Sequence, residues 1–324
     1  MSTTFGSTTT AEEVATVLAA EIKGKNVLIT GVSPKSLGAE AARIIAKFGA
    51  GLVVLAGRSQ EKLEQTERDI KAEVPNANIR LLILDLGSFA TVRAAADEVL
   101  SYSEPLHVLI NNAAIMAVDY ALTSDGHETQ FGVNHLGHFL FTARIFPKLQ
   151  ESGAPRIVNV SSSAHPFSPV RFDDLGFDSG KKYDRWHAYG QSKTANILFS
   201  KELARRGVIS FSVHPGGIRT NLQDRSPQVA QDLLKMGVFN ESGEPVDTER
   251  VKWKTVAQGA ATHIVAAFDP SILPQSGSYL ADGNVETATL APHATDPEDA
   301  KKLWDLSEKL VGEKFVIEPR PSVL

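Results

Sequence analysis

The chain has 324 residues, no cysteine and a formal net charge of -5 at neutral pH. The lack of thiols excludes disulfides and thiolate catalysis, and the mild acidity excludes the global basic field that recruits nucleic acid. A hydrophobic fraction of 42% suits a globular chain with a sizeable core. No apolar run reaches the roughly 20 residues of a membrane span, and the N-terminus lacks the basic and apolar regions of a signal peptide, so a soluble cytoplasmic protein is expected.

Residues 1–10 are expected to fray. Residues 11–22 read as a short helical extension, with Val14, Leu18 and Ile22 on one face and acids in the first turn. A compact apolar strand at 26–30 then runs into a glycine-bearing turn, Gly31 to Gly38, and a helix at 39–48. Strand, glycine turn and helix form the phosphate-cradling unit of a dinucleotide fold. The strict G-x-G-x-x-G spacing is absent, so the turn alone is a weak signal.

The second strand, 52–56, ends in Gly57-Arg58. Versions that bind NAD place an acid there for the ribose hydroxyls. A guanidinium pairs instead with a 2′-phosphate, and Lys35 in the glycine turn offers a second cation. A charged helix at 60–73 leads to a strand at 79–84, followed by Asp85-Leu86. A helix at 89–100 leads to a strand at 106–110, followed by Asn111-Asn112-Ala113-Ala114. Apolar strands alternating with helices predict a Rossmann-type, doubly wound parallel sheet of about seven strands, covered on both faces. Ligands of such sheets bind at the carboxyl ends of the strands, where Gly31, Arg58, Asp85 and Asn111 all fall.

Residues 123–149 read as one long helix containing Asn134, a polar residue that needs partners if buried. His135 and His138 on it have no third ligand at a suitable spacing, so no metal is expected. A fifth strand at 156–160 ends in Ser161-Ser162-Ser163. After a long irregular segment, a helix at 186–206 carries Tyr189 and Lys193. A sixth strand at 210–213 precedes His214-Pro215-Gly216. Residues 218–247, rich in breakers, read as a mobile lid. A helix at 248–268, a short last strand from Tyr279 and a terminal helix at 299–311 complete a single domain.

Tyr189 and Lys193 stand four apart and share one helix face. A phenol of unperturbed pKa about 10 exchanges protons poorly at neutral pH, and a neighbouring ammonium lowers that pKa. With a serine hydroxyl to hold an oxygen, the pair forms a device for interconverting C=O and CH–OH. Taken alone, Y-x-x-x-K is an ordinary helix pair.

The ordered set Thr30-Gly31, Gly38, Asp85-Leu86, Asn111-Asn112-Ala113, Asn134, Ser162, Tyr189-x-x-x-Lys193 and Pro215-Gly216 resembles the classical short-chain dehydrogenase/reductases over residues 22–285. Within them it is most similar to the retinol dehydrogenase-like and WW-domain oxidoreductase-like branch, which has many fungal members. The resemblance implies a catalytic tetrad of Asn134, Ser162, Tyr189 and Lys193. Tyr189 would be general acid or base, Lys193 would lower its pKa and hold the nicotinamide ribose, Ser162 would bind the substrate oxygen and Asn134 would anchor a relay water. Ser163 is the alternative serine. Gly31, Ser33, Ser36, Leu37 and Gly38 would form the cofactor turn, with Lys35 resembling the basic residue of NADP-preferring members. Asp85 and Leu86 would hold the adenine, with Asn111, Asn112, Ala113 and Ala114 on the adenosine side. Pro215 and Gly216 belong to the cofactor set, and Ile218 and Thr220 would meet the carboxamide. The turn is one residue longer than the family's T-G-x-x-x-G-x-G, with Ser36 in place of the middle glycine, so a shifted turn is expected.

The expected activity is NADP(H)-dependent reduction of a lipophilic ketone or aldehyde, with a place in secondary metabolism. Two other readings remain: an NADP(H)-sensing binding protein, which has no need of the phenol–amine pair, and a lyase or epimerase using the same pair. The substrate's identity and the oligomeric state are left open, a homo-oligomer among the options.

Overall fold

A computed structural model describes residues 5–220, 222–223, 227–248 and 251–317. The main sheet is built from β1 (Asn26–Thr30), β2 (Leu52–Gly57), β3 (Ile79–Ile83), β4 (Val108–Asn111), β5 (Arg156–Val160), β6 (Ile209–His214), β9 (Tyr279–Ala281) and β10 (Asn284–Val285). A separate pair, β7 (Gly217–Ile218) and β8 (Trp253–Lys254), lies beside it. The strand order is β10-β9-β6-β5-β4-β1-β2-β3. All neighbours are parallel except the β9–β10 hairpin, which supplies the eighth strand that periodicity missed. The two residues of β10 carry too little pattern to be read from sequence.

The order reverses between β1 and β4, because the chain winds outward through β2 and β3 and then crosses back. Such a switch point leaves a crevice beyond the strand ends, and here it is framed by the turns after β1, β2 and β4.

Helices cover both faces. One layer comprises α1 (Ala11–Val17), α2 (Ala19–Ile22), α3 (Leu37–Lys47), α4 (Gln60–Glu73) and α10 (Val256–Phe268). The other comprises α5 (Phe89–Leu100), α7 (Gly137–Gln150), α8 (Arg185–Arg205) and α11 (Pro297–Val311). The central strands β1, β4 and β5 are buried at every residue, which explains their unbroken apolar reading.

Several boundaries differ from expectation. The extension at 11–22 is two helices, joined at Leu18. Phe5, in the segment expected to fray, is buried, and its carbonyl accepts from Asn284. The helix expected from 123 begins only at α6 (Thr129–Phe131), passes through a π turn at Gly132–Leu136 and continues as α7. Residues 122 and 128 form an isolated antiparallel bridge instead. The helix expected from 248 starts at Val256, because Trp253 and Lys254 are drawn into β8 and Thr255 builds a capping box with Gln258. Within the expected lid, α9 (Pro227–Lys235) folds over the crevice with Val229, Leu233 and Phe239 buried against Met116 and Tyr189.

Candidate active site

The glycine turn is closed by the residue that replaces a glycine. Ser36 takes the N-cap of α3, accepting from the Ala39 N–H at 3.1 Å, while its hydroxyl donates to the Gly31 carbonyl at 3.1 Å. Gly31 has φ 76°, and a Cβ there would lie 2.6 Å from Ala113 Cα. The turn is therefore longer than the family spacing yet still delivers the N-terminus of an 11-residue helix to the crevice, where helix dipole and free N–H groups favour an anion.

A cleft of about 840 Å³ runs across the carboxyl ends of the strands. Of the expected cofactor residues, Gly31, Ser33, Ser36, Leu37, Arg58, Asp85, Leu86, Asn112, Ala113, Ala114, Pro215, Gly216, Ile218 and Thr220 line it, as do Ser162, Tyr189 and Lys193. Four expected residues lie off its wall. Lys35, at φ 62°, is exposed. Gly38 packs beneath the turn, where a Cβ would meet Asn112 Nδ2 at 2.6 Å. Asn111 points into the sheet, donating to Thr142 Oγ1 and to Asn159 Oδ1. Asn134 is fully buried behind the cleft.

The cation that joins Arg58 is Lys62, in the first turn of α4; both line the cleft, with Ser59 between them. The sequence signal was present, since Lys62 stands four positions after Arg58, just past the N-cap serine.

At the other end, α8 presents Tyr189 and Lys193. The Asp184 carboxylate caps this helix by accepting from the Trp186 and His187 N–H groups. Gly190 lets the Ala164–Ser168 turn press on it, for a Cβ would sit 2.8 Å from the Ala164 carbonyl. Ser162 stands just before that turn, its Oγ accepting from the Ala164 N–H at 3.1 Å, and its hydroxyl counteracts part of the rise at the Tyr189 phenol. The Lys193 amine lies 5.5 Å from the Tyr189 ring centroid and donates to the Val160 carbonyl at 3.0 Å. Burial pushes the Tyr189 phenol up to about 12, against the opposing pull of Ser162, and pushes the Lys193 amine down to about 7. The expected lowering of the phenol by an ammonium is therefore not what this buried pair displays: removal from water penalises both charged forms, pushing the phenol up and the amine down.

Asn134 sits on the π turn, closed by Gly137 N–H donating to the Gly132 carbonyl. Both hydrogens of its side-chain amide are committed: Nδ2 donates to the Ile115 carbonyl and to Ser192 Oγ, while Oδ1 accepts from Ile115 N–H. The backbone carbonyl contacts His138 Nδ1 at 3.1 Å. His138 Nε2 is 2.9 Å from Thr30 Oγ1, which already accepts from the Asn112 and Ala113 N–H groups. The Thr30 hydroxyl must then donate to Nε2, leaving Nδ1 to donate to Asn134. Burial holds His138 neutral, at about 4. His138 and Thr30 thus tie the dinucleotide-type turn to the π turn, a link across 108 residues that sequence reasoning missed. His135 is likewise occupied by Ser307 Oγ at 2.8 Å. Among the described residues no cluster of three metal-ligating side chains occurs, and no helix is long and apolar enough to cross a membrane.

A proton-bearing phenol, a buried amine and a serine at one end, and two cations beside a helix N-terminus at the other, define a dehydrogenase-type crevice. The model of the short chain dehydrogenase family matches residues 25–174. Mouse retinol dehydrogenase 12 is 37% identical over 296 residues, covering 90% of this chain and 88% of the mouse protein. The short-chain dehydrogenase/reductase prx1 of Penicillium rubens is 39% identical, covering 90% of this chain and 86% of its own length. The crystal structure of an uncharacterised protein of Mycobacterium paratuberculosis superposes with a TM-score of 0.69 at 33% identity, covering 92% of this chain and 98% of that one. The chain belongs to the short-chain dehydrogenase/reductase family, oxidoreductases that use a nicotinamide cofactor and act on alcohol and carbonyl groups.

Proposed function

We propose that the protein is an NADP(H)-dependent oxidoreductase interconverting a ketone or aldehyde and its alcohol on a lipophilic small molecule. The observation that carries this reading is the convergence of Ser162, Tyr189 and Lys193 on one cleft wall. The donor set at the far end fits a dinucleotide bearing an extra phosphate: Arg58 and Lys62 for that phosphate, the N-terminus of α3 for the pyrophosphate, and Asp85 and Leu86 for the adenine. Met116, Phe167, Leu233 and Trp253 make the substrate side apolar.

A bound nicotinamide supplies or accepts the hydride. The protein's task is the proton. With its pKa near 12, Tyr189 is protonated at pH 7 and placed to donate to a substrate oxygen. Ser162 Oγ, already accepting from Ala164 N–H, has its own hydrogen to give to that same oxygen. Lys193, when charged, favours the phenolate formed as the proton leaves. Asn134 serves through its carbonyl and its grip on Ile115 and Ser192, since its amide has no hydrogen to spare for a water.

Tyr189→Phe tests the reading. It should lower kcat by roughly 10²–10⁴-fold while NADPH titration gives an unchanged Kd. Retention of a tenth or more of wild-type kcat would reject the role of Tyr189. Carbonyl turnover without net NADPH oxidation would point to the lyase or epimerase reading.

A further inference from the structure

A second hollow, of about 420 Å³, lies beside the cleft and shares Asp119, Trp186 and Met236 with it. Its remaining walls include Tyr183, Arg185 and Lys235. Trp186 stands one helical turn before Tyr189, so its indole flanks the phenol edge-on, with ring centroids 6.4 Å apart at 84°. Phe167 meets the same indole at 6.4 Å and 89°. The indole N–H donates to Asp232 Oδ2 on α9 at 3.0 Å. That carboxylate also lies 3.9 Å from Arg185 Nη1, and Arg185 Nη2 pairs with Asp119 Oδ1 at 3.0 Å. The ring is therefore in perpendicular contact with two aromatic rings and pinned at its nitrogen. It cannot swing aside without releasing Asp232 from its hydrogen bond, a charge-assisted contact.

We propose that Trp186 is the specificity-determining partition of the substrate site. It closes the cleft off from the hollow next to the reacting carbonyl and so limits the bulk of the carbonyl's smaller substituent. The partition rests on the carbonyl-reductase reading of the cleft. It assigns the protein to carbonyl compounds with one extended apolar arm and one small arm. Asp232 is the positioning residue that keeps the indole in place, which makes α9 part of the selection as well as a cover.

The test is a series of ketones with one fixed apolar arm and a second arm rising from methyl through isopropyl and tert-butyl to phenyl. Both kcat/KM with NADPH and calorimetric binding to the enzyme–NADP⁺ complex are measured. Since single groups in a filled pocket discriminate by about 10–200-fold, wild type should lose roughly 100-fold or more across the series. Trp186→Ala should compress that loss to within about tenfold, with Trp186→Phe and Asp232→Ala intermediate, all at unchanged NADP⁺ affinity. If Trp186→Ala does not fold, the other two variants carry the comparison. A bulk profile identical to wild type in Trp186→Phe and Asp232→Ala overturns the partition and leaves the reductase reading standing. Binding that follows the predicted profile without turnover of any ketone supports the partition and rejects the reductase reading.

Discussion

At Lys193 burial shifts the titration of the amine. The amine is 1% exposed, and its pKa falls from 10.5 to about 7. Below pH 7 it is charged in both folded and unfolded chains, and the cost of burying that charge is fully present. As pH rises from about 7 to 10.5 the folded chain sheds the proton first, so the unfolded chain binds more protons and stability rises. Lys193→Met removes this dependence. The variant should be inactive, and its stability relative to wild type should be greatest near pH 6 and decline by up to about 4 kcal/mol toward pH 10. Urea midpoints at the two pH values decide it; parallel curves would mean that the amine is not desolvated. At the opposite end of the cleft, Arg58 faces the proposed 2′-phosphate with Lys62 beside it. A hydrogen bond to a charged group contributes roughly 1.5–3 kcal/mol, about tenfold to a hundredfold in affinity. Arg58→Ala should weaken NADPH by that factor and leave NADH nearly unchanged, with Lys62→Ala acting the same way more mildly. Steady-state kinetics with both cofactors measure this, and a wild-type enzyme indifferent between NADH and NADPH would sink the charge argument.

The π turn swings Asn134 inward to clasp Ile115, and α7 starts where Gly137 meets the loop after β3. A Cβ on Gly137 would lie 2.5 Å from the Leu86 carbonyl oxygen and 2.9 Å from Leu86 Cβ. The carbonyl is backbone and cannot fold away, so the glycine is required by close approach rather than by φ. Leu86 lines the cleft. Gly137→Ala should therefore destabilise by about 1–3 kcal/mol, the usual cost of overpacking, and weaken cofactor binding at the same time. Denaturant midpoints and NADPH titration of one preparation report both effects, and an unchanged Kd would separate Leu86 from the adenine.

Across the whole molecule, α8 is buried on nearly every face because α11 lies along the side that the sheet leaves open. Trp304 of α11 is 2% exposed. It meets Phe139 at 4.9 Å between ring centroids, and the Arg206 guanidinium lies 3.9 Å from its own ring centre. Ser307 on the same helix holds His135 in the π turn. The terminal helix thus braces both α8 and the π turn from behind. Trp304→Ala should cost about 3–5 kcal/mol, read as a lowered urea midpoint, with kcat per folded molecule falling less than in Tyr189→Phe. A midpoint within error of wild type would show that α11 is not part of the cooperative unit.

The chain by itself determined the alternation of buried strands and amphipathic helices, the glycine turn, Arg58 at the end of β2, and the Tyr189–Lys193 pair. Each of these is a local pattern, written in residues a few positions apart. The tertiary structure decided what depends on contacts across many residues. Asn111 and Asn112 are adjacent letters with opposite fates, because the pleat sends one into the sheet and the other to the turn after β1. Lys35 and Lys62 are both basic, but Lys62 lines the cleft and Lys35 does not. The commitment of the Asn134 amide to Ile115 and Ser192, the neutral His138 bridge to Thr30 and the pinning of Trp186 by Asp232 join segments up to 108 residues apart. The sign of the shift at Tyr189 belongs here too. Spacing placed an amine beside the phenol, while the depth of burial, a property of the packed molecule, made desolvation the larger effect.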